Sequence, residues 1–278
     1  YEGLWKMINV IVSHDVDHLF RSDHYTDLIY PKLWIRETLS FLRGQLSPKE
    51  WLLRMASPFK TERHNIFDVM TFDKKYGVPS TFFFGMSQGL GMSYKKELAF
   101  PIIKQLASNG FDVGVHGIAH NDYERIQIEY NDFMNIGAVT SFGIREHYVR
   151  FTKDTFKYLE KAGYLFDSSE FDKTAGYLIK SPYKVGAMWE FPLSIMDGYL
   201  PCTFAEKKKK TLIILEEAKR NNCNYVTILF HDYLYCSAYK EYKEWYEWII
   251  KYIYVNNEYA FLSYKEAIAN CTTKINVA

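Results

Sequence analysis

The chain has 278 residues, 34 Lys plus Arg against 33 Asp plus Glu, and 48% apolar residues. So even a charge balance supplies no field to hold a polyanion, so nucleic acid is not an expected partner. The apolar content suffices for one large core, yet no apolar run approaches the ~20 residues of a membrane helix, so no membrane span is expected.

In chain order, the opening Tyr1-Glu-Gly-Leu-Trp-Lys6 lacks the charged-then-apolar form of a secretory leader. Met7–Val12 is a short β-branched run, as a buried strand requires. The same reading fits 80–84, 112–116, 141–145, 164–167, 188–193 and 225–230, with 259–262 a weaker eighth. Helical periodicity falls between them at roughly 62–76, 96–109, 123–138, 152–162, 205–222 and 238–256. Gly77, Gly110 and Gly163 each end a helix and lead straight into a strand, because glycine takes the left-handed cap conformation without a Cβ clash. Strict alternation implies a parallel sheet with crossover helices, and seven or eight units favour a (β/α) barrel over an open sheet.

Two segments break the rhythm. Residues 18–61 mix aromatic and basic residues and read either as amphipathic helices covering the barrel or as a lid or partner surface. Residues 170–187 form a long loop without helical period, of the kind that often borders a site. Lys207 to Lys210, at a helix start, read as a solvated face. The cysteines, Cys202, Cys223, Cys236 and Cys271, show no metal or disulfide spacing, so reduced thiols and a cytoplasmic location are expected.

Polar residues recur where these strands end: Asp15 and Asp17, His116, Arg145, Asp167 and His231. Parallel strands bring those ends to one face, where barrel active sites are built. Charges buried without partners would be costly, so their recurrence points to a site. His116 and His120 stand four apart, on one side of a helical turn if the chain is helical there, and alone could be metal ligands or ordinary core or surface histidines. With a carboxylate they make a three-ligand set that leaves positions open for water and substrate. Asp17 is the candidate third ligand, which leaves Asp15 free to act as a base.

These residues, in this order, resemble carbohydrate esterase family 4, the polysaccharide deacetylases with the NodB homology domain. The resemblance implies an irregular parallel (β/α)7–8 barrel, a single domain over 1–278 with 18–61 a helical insertion. It implies that Asp15 is the base, that Asp17, His116 and His120 hold a divalent metal such as Zn2+, and that Arg145 braces the base. From the fourth motif, Glu170 and Phe171 would support the acid histidine with Asp167 structural, or the two acids exchange roles. From Leu229-Phe-His231 it implies a general acid, His231, and an acyl-pocket residue, Leu229. Gly117 stands where the family carries a hydroxyl residue, and His147 stands before Tyr148 where it carries proline. The strings 13–18, 144–151 and 229–234 are similar to a WbmS-like group encoded with O-antigen genes.

The implied reaction is removal of an N-acetyl group from an amino sugar for surface polysaccharide, with the oxyanion held by the metal and the Tyr148 backbone N–H. An N-formyl sugar, a small cyclic amide, or a silent sugar-binding barrel are the alternatives. His147 and Arg150, past the Arg145 strand end, suggest a substrate bearing a carboxylate or phosphate.

Overall fold

In the computed structural model, residues 7–59 and 63–277 are described, with side chains described to Thr273. The six opening residues, on which the leader expectation rested, lie outside them. Strands and helices alternate as expected from residue 66 to residue 167, after which three short strands follow one another before the next helix. The strands are β1 (Ile8–Val16), β2 (Thr81–Gly85), β3 (Asp112–Gly117), β4 (Ile144–Glu146), β5 (Phe166–Asp167), β6 (Tyr183–Val185), β7 (Met188–Glu190), β8 (Ile195–Met196), β9 (Tyr225–Leu229) and β10 (Tyr259–Phe261). The helices are α1 (Ile29–Leu42), α2 (Pro48–Met55), α3 (Ile66–Lys75), α4 (Lys96–Ser108), α5 (Tyr123–Met134), α6 (Thr155–Ala162), α7 (Phe204–Arg220), α8 (Lys240–Val255) and α9 (Tyr264–Val277). Gly77, Gly110 and Gly163 have φ of 64°, 85° and 104°, the cap conformation read from their spacing.

The strands form one curled sheet in the order β6-β7-β5-β4-β3-β2-β1-β9-β8, with β10 also pairing β1, and all pairs are parallel except β6–β7. The chain from β7 to β8 spans the two margins of the curl. Phe191 N–H donates to Asp167 O beside β5, at 2.9 Å, and Ser194 N–H to Thr227 O beside β9, at 3.1 Å. A single extended segment thus joins both ends, which makes the barrel irregular.

Alternation along β1 separates two environments. Val10, Val12 and Val16 face the helix layer, whereas Ile11 joins an interior cluster with Phe83, Phe166, Phe191 and Tyr225. Burying each such aromatic contributes on the order of 1.5–3 kcal/mol. Helix α9, not anticipated from the sequence, sends Tyr264, Ala267 and Cys271 (positions i, i+3 and i+7) into that interior cluster. Asp15 follows Ile11 and Ser13 by steps of two, so it lies on the interior face at the strand's C-terminal end.

Of the 18–61 insertion, α1 turns Ile29, Lys32, Leu33 and Arg36 toward the cavity at that end. Lys207 departs from the solvated-face expectation. It is fully buried, donates to Pro201 O and stands 3.6 Å from the Tyr242 ring centroid; burial pushes its ammonium down to about 8. None of the four cysteines is in a disulfide, and no helix among the described residues is long and apolar enough to cross a membrane.

Candidate active site

The strand ends surround a cavity of about 520 Å3 whose lining includes Asp15, Asp17, His116, His147, Tyr148 and His231. Asp15, which lines it, is backed by Arg145. Arg145 is fully buried; its Nη1 donates to Asp15 Oδ1 at 3.0 Å and its Nε to Ser168 O at 2.9 Å. Its Nη2 donates to Ser168 Oγ at 3.0 Å and to Tyr264 OH at 2.9 Å. A planar guanidinium held at three corners fixes one face of Asp15 and leaves Oδ2 directed toward His116 Nε2, 3.7 Å away.

Asp17, His116 and His147 bring one ligand atom each to within 4.8 Å of one another. Both rings have their outer nitrogen against a backbone carbonyl, which can only accept. His116 Nδ1 donates to Arg145 O at 2.9 Å, and His147 Nε2 lies 3.3 Å from Leu90 O. In the neutral tautomers set by those bonds, the inner nitrogens, 2.9 Å apart, both present lone pairs. Asp17 Oδ1 is buried, lies 3.2 Å from His116 Nε2 and has no hydrogen-bond partner of good geometry. Three electron-rich atoms converging without a donor among them repel one another unless a cation stands between them. The donor set therefore fits a divalent metal. Burial opposes the charge on Asp17, but in the metal-free chain hydrogen bonds from the His116 and His147 rings, in place of a cation, and the charge of His231 hold its carboxyl well below the usual carboxylate range.

His120 is not in this set. His116 lies in β3, and the chain from Ile118 to Asp122 is a turn, so no helical turn carries both rings. His120 instead lines a separate hollow with Arg150, Glu170 and Phe171. His147, expected in the substrate groove, takes its place because β4 runs beside β3 and delivers the residue after Glu146 to the same point.

Across the cavity, His231 Nδ1 donates to Asp197 Oδ1 at 2.9 Å, and its backbone N–H donates to Asp197 Oδ2 at 2.6 Å. Its free Nε2 lies 3.7 Å from Asp17 Oδ2. Burial disfavours the imidazolium, yet the carboxylates of Asp197, Asp17 and Asp15 push it up to about 10. Neither acid expected to support His231 does so. Glu170 is engaged by Lys180 at 2.8 Å and Tyr183 OH at 3.0 Å, while Asp167 accepts from Ser169 Oγ at 2.6 Å. Asp197 was missed, although it follows a short apolar strand as the other site residues do.

Phe171 and Leu229 do meet, in an apolar cluster with Val149, Leu193 and Met196; Leu229, Met196 and Val149 line the cavity. Tyr148 and Val149 have φ of 59° and 44°, left-handed values that strain side chains bearing a Cβ and that cluster at functional positions. Gly117 is explained by its neighbour: a Cβ there would lie 2.9 Å from the Glu146 carboxylate. Arg150 does not face the cavity as an anion grip, since its Nη2 donates to Ile118 O at 2.8 Å and its Nε to His147 O at 3.3 Å.

The curled, mostly parallel sheet is that of a distorted NodB-type barrel, a fold shared with solved polysaccharide deacetylases. A protein from Mycobacterium smegmatis described as a polysaccharide deacetylase superposes with a TM-score of 0.66 at 15% identity, over 99% of this chain and 93% of that one. The allantoinase PuuE gives 0.58 at 11% identity, over 96% and 90%. A Pseudomonas aeruginosa protein also described as a polysaccharide deacetylase gives 0.53 at 16%, over 75% and 72%. No family model and no curated protein matches the sequence.

Proposed function

We propose that this chain is a metal-dependent hydrolase that removes an N-acyl group, an N-acetyl group in the first instance, from an amino sugar. The observation that carries the reading is the convergence of three elements on one cavity: Asp17, His116 and His147, the braced Asp15, and the Asp197-held His231.

Asp17, His116 and His147 would hold the cation, zinc being the one their nitrogen and oxygen atoms suit. When bound, it supplies Lewis-acid polarisation of the amide carbonyl and lowers the pKa of water. Asp15, oriented by Arg145, accepts the proton of the attacking water. His231, kept protonated by Asp197, donates a proton to the departing amine, without which the amine is a very poor leaving group. The Tyr148 backbone, held in its strained turn, offers an N–H to the oxyanion. Leu229, Met196 and Val149 provide an apolar wall for the acyl methyl.

The similar strings at 13–18, 144–151 and 229–234 support a place in O-antigen synthesis, in the cytoplasm. The test is mass spectrometry of N-acetylated amino sugars incubated with the zinc-loaded chain. Loss of one acetyl group per sugar with release of acetate is expected. Opening of a cyclic amide with no acetate from any sugar would replace this reading with the ring-opening one, and a chain that binds no zinc would leave only a sugar-binding barrel.

A further inference from the structure

Among the described residues, Arg63 is the one strongly buried cation lining the cavity besides the histidines. Only 8% of it is exposed, it lines the cavity, and its Nη1 has no hydrogen-bond partner among the described residues. Its guanidinium stands 5.7 Å from the Tyr30 ring centroid, and it forms no ion pair among the described residues. An unpartnered buried guanidinium donor costs about 1–3 kcal/mol, more where charge is involved, unless something completes it. Arg63 therefore asks for an acceptor that enters from the cavity.

Two further cations line the same cavity. Lys32 belongs to the α1 stripe Ile29, Lys32, Leu33 and Arg36, and Lys173 comes from the loop after β5. Both are exposed, and no ion pair of either falls among the described residues. Arg36 is different, since its Nε and Nη2 are taken by Glu37 at 2.9 and 2.7 Å. Among the described residues, the only carboxylates lining the cavity are Asp15, engaged by Arg145, and Asp17, in the candidate metal set. Three cations with no ion pair among the described residues thus line one cavity.

We propose that Arg63, Lys32 and Lys173 form a phosphate subsite, so that the N-acylated sugar is bound as a phosphate ester. Three cations match a group with more than one negative charge better than a single carboxylate, and a guanidinium holds phosphate oxygens through paired N–H bonds. Nucleotide-linked and lipid-linked sugars share this chemistry. The subsite rests on the deacetylase reading for the identity of the sugar but not for recognition of the anion.

The test is calorimetric binding to the zinc-loaded full chain of four probes: N-acetylglucosamine, its 1-phosphate, and the uridine and farnesyl diphosphate esters of the same sugar. The phosphate-bearing probes are expected to bind roughly tenfold or more tightly than the free sugar. Arg63→Met and Lys32→Met should each shrink that difference while Arg63→Lys keeps part of it. Because zinc is common to all variants, anion binding through the metal alone would leave the difference intact and overturn the proposal. Equal binding of free and phosphorylated sugar would overturn it too. Lys32 lies exposed on α1, so Lys32→Met decides the matter should Arg63→Met fail to fold. The larger affinity between the two diphosphates names the carrier. Acetate release is read on the same samples. Phosphate preference without acetate sinks the deacetylase reading alone, and acetate without phosphate preference sinks the subsite alone.

Discussion

Asp197 grips His231 twice, at the ring Nδ1 and at the backbone N–H, and so fixes both the tautomer and the direction of the free Nε2. Replacing Asp197 with Asn should lower kcat by about 10- to 100-fold, since it removes the charge that keeps His231 protonated. The alkaline limb of the kcat–pH profile should move to lower pH. His231 has its pKa raised to about 10 in the folded chain, so its contribution to stability is full below about 6.5 and is lost as pH rises toward 10. Asp197→Asn should flatten the fall of Tm over that window. An unchanged profile and slope would remove Asp197 from the role.

The exchange of His120 for His147 in the metal set is open to a direct measurement. Zinc content after dialysis should fall in His147→Ala by at least ~100-fold in affinity, and stay near wild type in His120→Ala. The reverse pattern would restore the ligand set that the His-x-x-x-His spacing suggested.

Asp15 and Arg145 form a buried ion pair, and breaking one side of such a pair costs about 3–5 kcal/mol. Arg145→Met should therefore lower Tm strongly, and adding Asp15→Asn to it should recover part of the loss, because no uncompensated carboxylate then remains. Asp15→Asn alone should keep its zinc and lose turnover. Additive losses in the double variant would show that the two do not act as a pair.

Behind the site, Asp167 and Glu190 are both fully buried and lie beside each other. Burial and the neighbouring carboxyl push Glu190 well above the usual range, and burial pushes Asp167 up to about 6. Raised carboxyl values mean that their contribution is full below about 4 and is lost as pH rises through 6. Tm should fall over that interval, and Glu190→Gln, which carries no titrating proton, should reduce the fall. An identical slope in the variant would exclude the pair as its source.

The sequence by itself determined most of the element order, β6, β8 and α9 apart, together with the three glycine caps and the face on which the chemistry lies. Those follow from local rules: apolar periodicity, the left-handed cap, and the fact that parallel strands share a direction. Asp15, Asp17, His116, Arg145 and His231 were legible because a charge at the end of an apolar strand is locally anomalous. Which of them touch was decided only by the tertiary structure. The His116–His120 spacing marks a pair only on a helix, and β3 runs straight through His116. His147 joins the set through the β3–β4 register, a contact 31 positions apart in the chain. Asp197 reaches His231 because the β7–β8 segment crosses the sheet margins, and no periodicity announces that crossing. Nothing in the sequence marks out Arg63, at the start of the 62–76 helical stretch, until folding buries it and leaves its Nη1 without a partner among the described residues. Local pattern encodes direction and burial, whereas ligand sets and hydrogen-bond partners depend on inter-strand register and loop paths that only packing fixes.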